Sequence, residues 1–317
     1  ALILADQEGA AAAVYTMNRV KAAPLYVTME HLEDGTAWGV AANSGNANAC
    51  CPMSHEYAEE MARLAARATG RAPADFVVAS TGVIGQTLNI AAIRAGMPAA
   101  AAGLTAGPEG SDAAARAIMT TDTVKKELAL ACSIGGRTVT LGAIAKGSGM
   151  IHPNMGTMLC FVTTDCAITR EMLSEALREV VPRTFNRVTV DGDTSTNDMC
   201  AVLANGMAGN PLIEWKDDGY TVFLKALRQL CQELARAIAG DGEGASRLIT
   251  CAVREARSEE SAERLAKAVV GSPLVKAAMF GADTNWGRVL CAMGYSKAPF
   301  RPEYVDISFS SAVGAVA

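Results

Sequence analysis

The stretch Ala145-Lys146-Gly147-Ser148-Gly149-Met150-Ile151-His152-Pro153-Asn154-Met155-Gly156-Thr157-Met158-Leu159 decides how this chain is read. A Gly-rich, Pro-containing turn runs straight into the apolar strand Thr157 to Val162. A phosphate-binding loop is excluded, because Lys146 precedes the glycines and no Lys-Ser or Lys-Thr pair follows them. What the turn does present is a threonine at the first position of a strand, directly after a glycine. Such a threonine can become an amino-terminal nucleophile. Its hydroxyl attacks the Gly156 carbonyl, the ester hydrolyses, and the freed α-amine of Thr157 becomes the base for the same hydroxyl. Gly156 suits this role, since a residue without Cβ takes strained backbone angles and leaves its carbonyl open to attack. On these residues alone, a plain loop entering a buried strand is the simpler reading.

Working outward, short apolar runs alternate with turns over the first fifty residues, and strands are expected at 1–5, 11–16, 25–28 and 38–42. Ser54 to Thr69 places Ala58, Met61, Leu64, Ala65 and Ala68 on one helical face. Phe76 to Ala79 reads as a strand leading into Thr81-Gly82, the Ala-rich pieces at 90–104 and 111–119 as helices, and 127–145 and 158–164 as strands again. Further on, helices are expected over 168–181 with Thr169 as N-cap, over 220–239 with Gly240 as C-cap, and over 258–270. Short strands are expected at 187–190, 247–253 and 304–309. The chain is therefore α/β, in layers of helix and sheet.

Composition narrows the partners. The chain has 317 residues, half of them hydrophobic, which is enough for a large core and about two domains. A net charge of −5 argues against a nucleic-acid surface and leaves small solutes as the better partner class. No apolar run reaches the length of about eighteen residues that a membrane span requires. Nine cysteines, an odd number without a C-x-x-C pair, read as reduced and mostly buried thiols of a cytoplasmic protein. With three histidines, at 31, 55 and 152, no zinc site of Cys and His is expected, and no metal is assigned.

The central stretch resembles the cleavage-site signature of the ornithine acetyltransferase family, bifunctional glutamate N-acetyltransferases of arginine biosynthesis. Asn18-Arg19-Val20-Lys21-Ala22-Ala23-Pro24, Asn43-Ser44-Gly45-Asn46-Ala47-Asn48-Ala49-Cys50, Ser80-Thr81-Gly82-Val83-Ile84-Gly85, Val190 to Asp198 (V-D-G-D-T-S-T-N-D), Gly240 to Ala245 and Asn285-Trp286-Gly287-Arg288 resemble that family's other motifs, in its order. The resemblance spans nearly the whole chain. It implies an αββα sandwich of the DmpA type with a second, smaller α/β domain, and a precursor that cuts itself between Gly156 and Thr157 into chains 1–156 and 157–317. We expect residues 1–200 to form the nucleophile domain and 201–317 the second domain.

The resemblance also implies the site. Thr157 takes the acetyl group of N2-acetyl-L-ornithine as an ester and passes it to L-glutamate. Thr81, through its hydroxyl, and Gly82, through its N–H, are the oxyanion donors. Lys146, Thr120 and Glu243 contact the substrate, with Thr121 as a neighbouring choice for Thr120. No resident cofactor is implied, although acetyl-CoA can serve as a co-substrate. The implied assembly is a heterotetramer of two α and two β chains. Family members continue past the last strand with further substrate-binding Asn and Thr or Ser residues. Ser311-Ala312-Val313-Gly314-Ala315-Val316-Ala317 matches none of them, so part of the pocket is expected to lie outside this sequence.

Asp191, Asp193 and Asp198 lack the calcium-loop pattern and read as turn and cap residues. Trp286 reads as core packing, and His152 is given no catalytic role. Two other functions fit the same scaffold. One is an aminopeptidase or amidase in which water replaces glutamate, and the other an uncleaved binder of acylated amino acids.

Overall fold

The structure, a computed structural model, describes residues 1–152 and 158–316. Gly156 and Thr157, the expected cleavage pair, lie outside the described residues. Seven strands form one mixed sheet: β1 (Leu2–Tyr15), β2 (Thr36–Asn46), β3 (Phe76–Val83), β4 (Lys126–Ile134), β5 (Arg137–Lys146), β6 (Leu159–Thr164) and β7 (Met199–Ala204). Their order across the sheet is β3-β2-β1-β7-β6-β5-β4. The pairs β2/β3 and β6/β7 are parallel and the others antiparallel.

Strand alternation turns this sheet into a four-layer body. On β3, Val77 and Ala79 face one core while Phe76 and Val78 face others. On β6 and β7, Leu159, Phe161, Met199, Ala201 and Leu203 share the core of Val77 and Ala79. Cys160, Val162, Cys200 and Val202 point the opposite way. The two halves of the sheet thus pack their inner faces against each other. The half carrying β2 and β3 is backed by α2 (Ser54–Thr69) and α3 (Ile90–Ala102), and the half from β7 to β4 by α5 (Arg170–Arg183) and α6 (Asp218–Gly240). This is the expected αββα layering, held by the period-2 side-chain pattern of buried strands. Two more helices, α1 (Ala23–His31) and α4 (Pro108–Ala117), contribute Leu25 and Ala115 to the inner core.

A separate apolar cluster joins α7 (Glu259–Gly271), α8 (Pro273–Phe280) and α9 (Trp286–Gly294), with Cys251, Val253 and Phe309 packed on it. A hairpin of β8 (Phe309–Ser311) and β9 (Gly314–Val316) follows. No described helix is long and apolar enough to cross a membrane.

Several local expectations change. Residues 1–5 and 11–16 belong to one long strand, β1. The run 25–28 is helical: Pro24 occupies the first turn, where its fixed φ and missing N–H are harmless, and Leu25, Val27 and Thr28 are buried. Residues 187–190 pass through a 3₁₀ turn at Phe185–Arg187 with no strand. Residues 247–253 likewise form no strand, and where a strand was expected over 304–309 a 3₁₀ turn at Pro302–Tyr304 is followed by a strand that begins only at Phe309. Of these runs only 25–28 is largely buried; 187–190, 247–253 and 304–308 are half-buried to exposed and pair with no neighbouring strand. Gly240 is the last residue of α6, and Asp241 caps it with an N–H directed at Ala237 and Ile238. Trp286 is 63% exposed at the start of α9, so it is no core residue.

Helix α1 also closes the sheet edge. The Thr28 hydroxyl donates to the Val78 carbonyl at 2.8 Å and accepts from the Val78 N–H at 2.8 Å, satisfying both backbone groups on the open side of β3. Thr28→Val keeps the shape and removes both bonds from a buried position. Chemical denaturation should show a loss of about 1–3 kcal/mol, and an unchanged midpoint would refute this role.

Candidate active site

Folding the sheet on itself brings the C-terminal ends of β3 and β5 together. Lys146 ends β5 and Thr81 lies near the end of β3, yet Lys146 Nζ donates to Thr81 Oγ1 at 3.2 Å and to Thr120 Oγ1 at 2.8 Å. Two threonines from distant parts of the sequence thus converge on one ammonium group. Because Thr81 Oγ1 accepts from Lys146, its own hydrogen can be directed into the pocket. Thr120 and Thr121 are both exposed, but it is the Thr120 hydroxyl that accepts from Lys146, so the geometry singles out Thr120.

Gly82 follows Thr81 with φ +130°, a conformation that favours glycine. A Cβ there would fall 2.2 Å from the Gly45 carbonyl carbon. The backbones of 43–49 and 80–86 run side by side at this point, tied by Ala47 N–H to the Val83 carbonyl at 2.9 Å and Gly85 N–H to the Ala49 carbonyl at 2.9 Å. The two Gly-containing motifs therefore form one wall of the site.

Glu243 closes another side. Its N–H donates to the Ser148 carbonyl at 3.2 Å, and its carboxylate lies over Gly149, where a Cβ would fall 2.6 Å from the carboxyl carbon. Burial lowers the pKa of Lys146 below the ordinary lysine value. Asp122 opposes that shift, Lys126 adds to it, and Asp198 and Glu243 oppose it. Asp198, 2% exposed, is pushed well above the usual carboxylate range by burial, against the lowering effects of Thr16, the Met158 N–H and Ser195.

Beneath these residues lies a buried ion group that sequence reasoning missed. Lys126 Nζ is 2.6 Å from Asp122 Oδ1 and 2.6 Å from Asp241 Oδ2, and its side chain is 1% exposed. Asp122 also accepts from Gly147 N–H at 2.7 Å and Thr120 N–H at 3.1 Å. Asp241 accepts from Thr123 through both its N–H and its hydroxyl, and its carbonyl accepts from Ser148 Oγ at 2.7 Å. The loops carrying Thr120, Lys146 and Glu243 are thereby tied to one cation. Burial raises both acids, but Lys126 and the neighbouring N–H and O–H donors outweigh it and hold them below the usual range. Asp241 lies within the motif Gly240 to Ala245, but the sequence did not mark Lys126 as its partner, because a lysine opening a strand reads as solvated.

His152 Nδ1 is 2.9 Å from Thr189 Oγ1, and burial together with Lys267 and Lys276 lowers its pKa. Asp191 accepts from the Ile151 and Asp193 N–H groups, the turn chemistry expected of it. Among the described residues no group of His, Cys, Asp or Glu could hold a metal ion. All nine cysteines are free, four of them buried.

Lys126→Met would strand two buried carboxylates and should cost about 3–5 kcal/mol by denaturant unfolding. Both acids have lowered folded-state pKa values, so their stabilisation is present above about pH 4 and lost as pH falls further. Thermal midpoints measured from pH 7 down to 3 should therefore fall in wild type. A wild-type midpoint flat below pH 4 would contradict the assignment.

The ArgJ family model matches residues 1–316. The arginine biosynthesis bifunctional protein ArgJ of Symbiobacterium thermophilum is 56% identical over 308 residues, 97% of this chain and 76% of that protein. Its counterpart in Geobacillus kaustophilus is 47% identical over 314 residues, 98% of this chain and 76% of that protein. A crystal structure of arginine biosynthesis bifunctional protein ArgJ from Bacillus halodurans aligns with a TM-score of 0.46 and 41% identity, covering 48% of this chain and 80% of that one. The family match along the whole chain, with relatives at these identities, makes this chain a member of the ArgJ family.

Proposed function

We propose that this chain is an autoprocessing acyltransferase that moves the acetyl group of N2-acetyl-L-ornithine to L-glutamate. The observation that carries the proposal is the convergence of Thr81, Thr120 and Lys146, residues from three separate motifs, on one set of hydrogen bonds. They meet at the end of β5, which pairs Lys146 with Leu159, two residues after Thr157. Membership of a family whose relatives are named arginine biosynthesis bifunctional proteins supports the same reading.

In this account the peptide bond between Gly156 and Thr157 is cut first, giving chains 1–156 and 157–317. The α-amine of Thr157 then takes the proton of its own hydroxyl as Oγ1 attacks the acetyl carbonyl of the donor. The oxyanion is met by the Thr81 hydroxyl and the Gly82 N–H, each typically worth ~3 kcal/mol in the transition state. The C–N bond to ornithine breaks, its amine leaves with the proton, and acetyl-Thr157 remains. Glutamate's amine attacks that ester, and the Thr157 oxygen regains its proton. Lys146 pairs with the α-carboxylate common to donor and acceptor. Thr120 holds the lysine in place, and Glu243 attracts the free ammonium of ornithine.

Acetyl-CoA as a second donor belongs to the same proposal, since a thioester would acylate the same hydroxyl. So do a heterotetramer of two α and two β chains and a cytoplasmic location, which the free thiols favour.

Incubation with N2-acetylornithine should release ornithine in amounts matched by acetylglutamate when glutamate is present. Acetate released at the same rate without glutamate would favour an amidase, and binding without turnover a simple binder. Since burial lowers Lys146 below the free-lysine value of 10.5, its charge is lost earlier than usual as pH rises. KM for N2-acetylornithine should therefore climb before pH 10.5, and Lys146→Arg, which stays charged, should show no such climb. Identical alkaline profiles for the two proteins would remove Lys146 from carboxylate binding.

A further inference from the structure

The segment Val190-Asp191-Gly192-Asp193-Thr194-Ser195-Thr196-Asn197-Asp198 has no regular secondary structure apart from one isolated bridge, Thr194 to Ile151, yet residues 195–198 are buried. Buried irregular backbone must find partners for its polar groups. Here those partners come from segments distant in the sequence. Thr194 Oγ1 donates to the His152 carbonyl at 2.8 Å, and Asn18 Nδ2 donates to the Thr194 carbonyl at 2.9 Å. Ala22 N–H donates to the Thr196 carbonyl at 2.9 Å. Immediately after the segment, Met199 N–H donates to the Met158 carbonyl at 3.0 Å.

Asn197 does something different from its neighbours. Its side-chain amide donates both hydrogens, to the Ala47 carbonyl at 2.7 Å and to the Ser80 carbonyl at 2.8 Å. Its oxygen accepts from Thr196 Oγ1 at 2.6 Å, which fixes which end of the amide faces the carbonyls. The Ser80 carbonyl belongs to the peptide plane whose nitrogen is that of Thr81. One side chain therefore sets the orientation of the backbone leading to Thr81 and Gly82, and locks it to the 43–49 wall. The same segment continues into β7, the parallel neighbour of the strand that follows Thr157.

We infer that Asn197 is a positioning residue that aligns the Thr81 and Gly82 oxyanion donors with the strand carrying the nucleophile. The inference rests on the acyl-transfer reading above. Oxyanion donors act on charge that develops only in the transition state, so misaligning them lowers kcat and leaves KM nearly untouched.

Asn197→Asp places a carboxylate oxygen against two carbonyl oxygens. Thr196→Val leaves the amide in place but removes the bond that orients it, and serves if the first variant fails to fold. Asn210 provides a control, since it is a buried asparagine bonded to Ala167 and Pro211 and takes no part in the site. Steady-state kinetics on folded, processed protein should show kcat lower by roughly 10- to 100-fold for Asn197→Asp, with KM within about twofold. Thr196→Val should lose less, and Asn210→Asp should lower the thermal midpoint while keeping kcat. Wild-type kcat in both the 196 and 197 variants, an equal kcat loss in the 210 variant, or a loss expressed in KM alone would overturn the inference and leave the acyl-transfer reading intact. A wild-type enzyme that transfers no acetyl group would overturn both.

Discussion

The buried ammonium of Lys126, shared between Asp122 and Asp241, fixes how the loops of the site meet. Each carboxylate also holds backbone or hydroxyl donors from a different segment, so the three charged groups act as a knot between residues 120–124, 146–148 and 241–243. Asp241 sits just past the C-terminus of α6, where the helix dipole disfavours a negative charge. Lys126 offsets that cost. Buried charges of this kind add little net stability but penalise alternative arrangements, because any other loop placement leaves an ion unpaired.

The second constraint is geometric. A flat seven-stranded sheet would keep β3 and β5 far apart, with four strands between them. Packing the two halves face to face brings their ends within hydrogen-bonding distance at Lys146 and Thr81. The small residues of the inner layer, Ala11, Ala37, Ala42, Ala79 and Ala201, allow that close approach. This explains how a chain with only 5% aromatic residues builds a dense core: alanine-lined layers replace large side chains.

Much of this was legible in the sequence, for identifiable reasons. The helix over Ser54–Thr69 was readable because its apolar residues recur at helical spacing, and its observed bounds are the same. The cap at Thr169 was readable because its hydroxyl precedes an apolar face, and it accepts from the Met172 N–H. The run at 25–28 was misread because its β-branched and aromatic residues suit a strand, while tertiary contact with β3 makes it a helix. Thr81, Thr120 and Lys146 came from motif resemblance. Their convergence could not have been obtained from spacing, since 39 residues separate the first two and 26 the last two. Lys126 gave no signal, and Asn197 was marked only as part of the motif over 190–198 without a role, because only the folded backbone reveals which carbonyls and carboxylates surround them.

The account stands or falls on Thr157 as the acyl carrier. Mass spectrometry of the protein quenched in acid after mixing with N2-acetylornithine, without an acceptor amine, tests this most directly. The account predicts two chains ending and beginning at the Gly156–Thr157 junction, with one acetyl group on the first residue of the 157–317 chain, discharged when glutamate is added before quenching. A single uncut chain in material that is fully active, or an acetyl group on any other residue that turns over with glutamate, would contradict it.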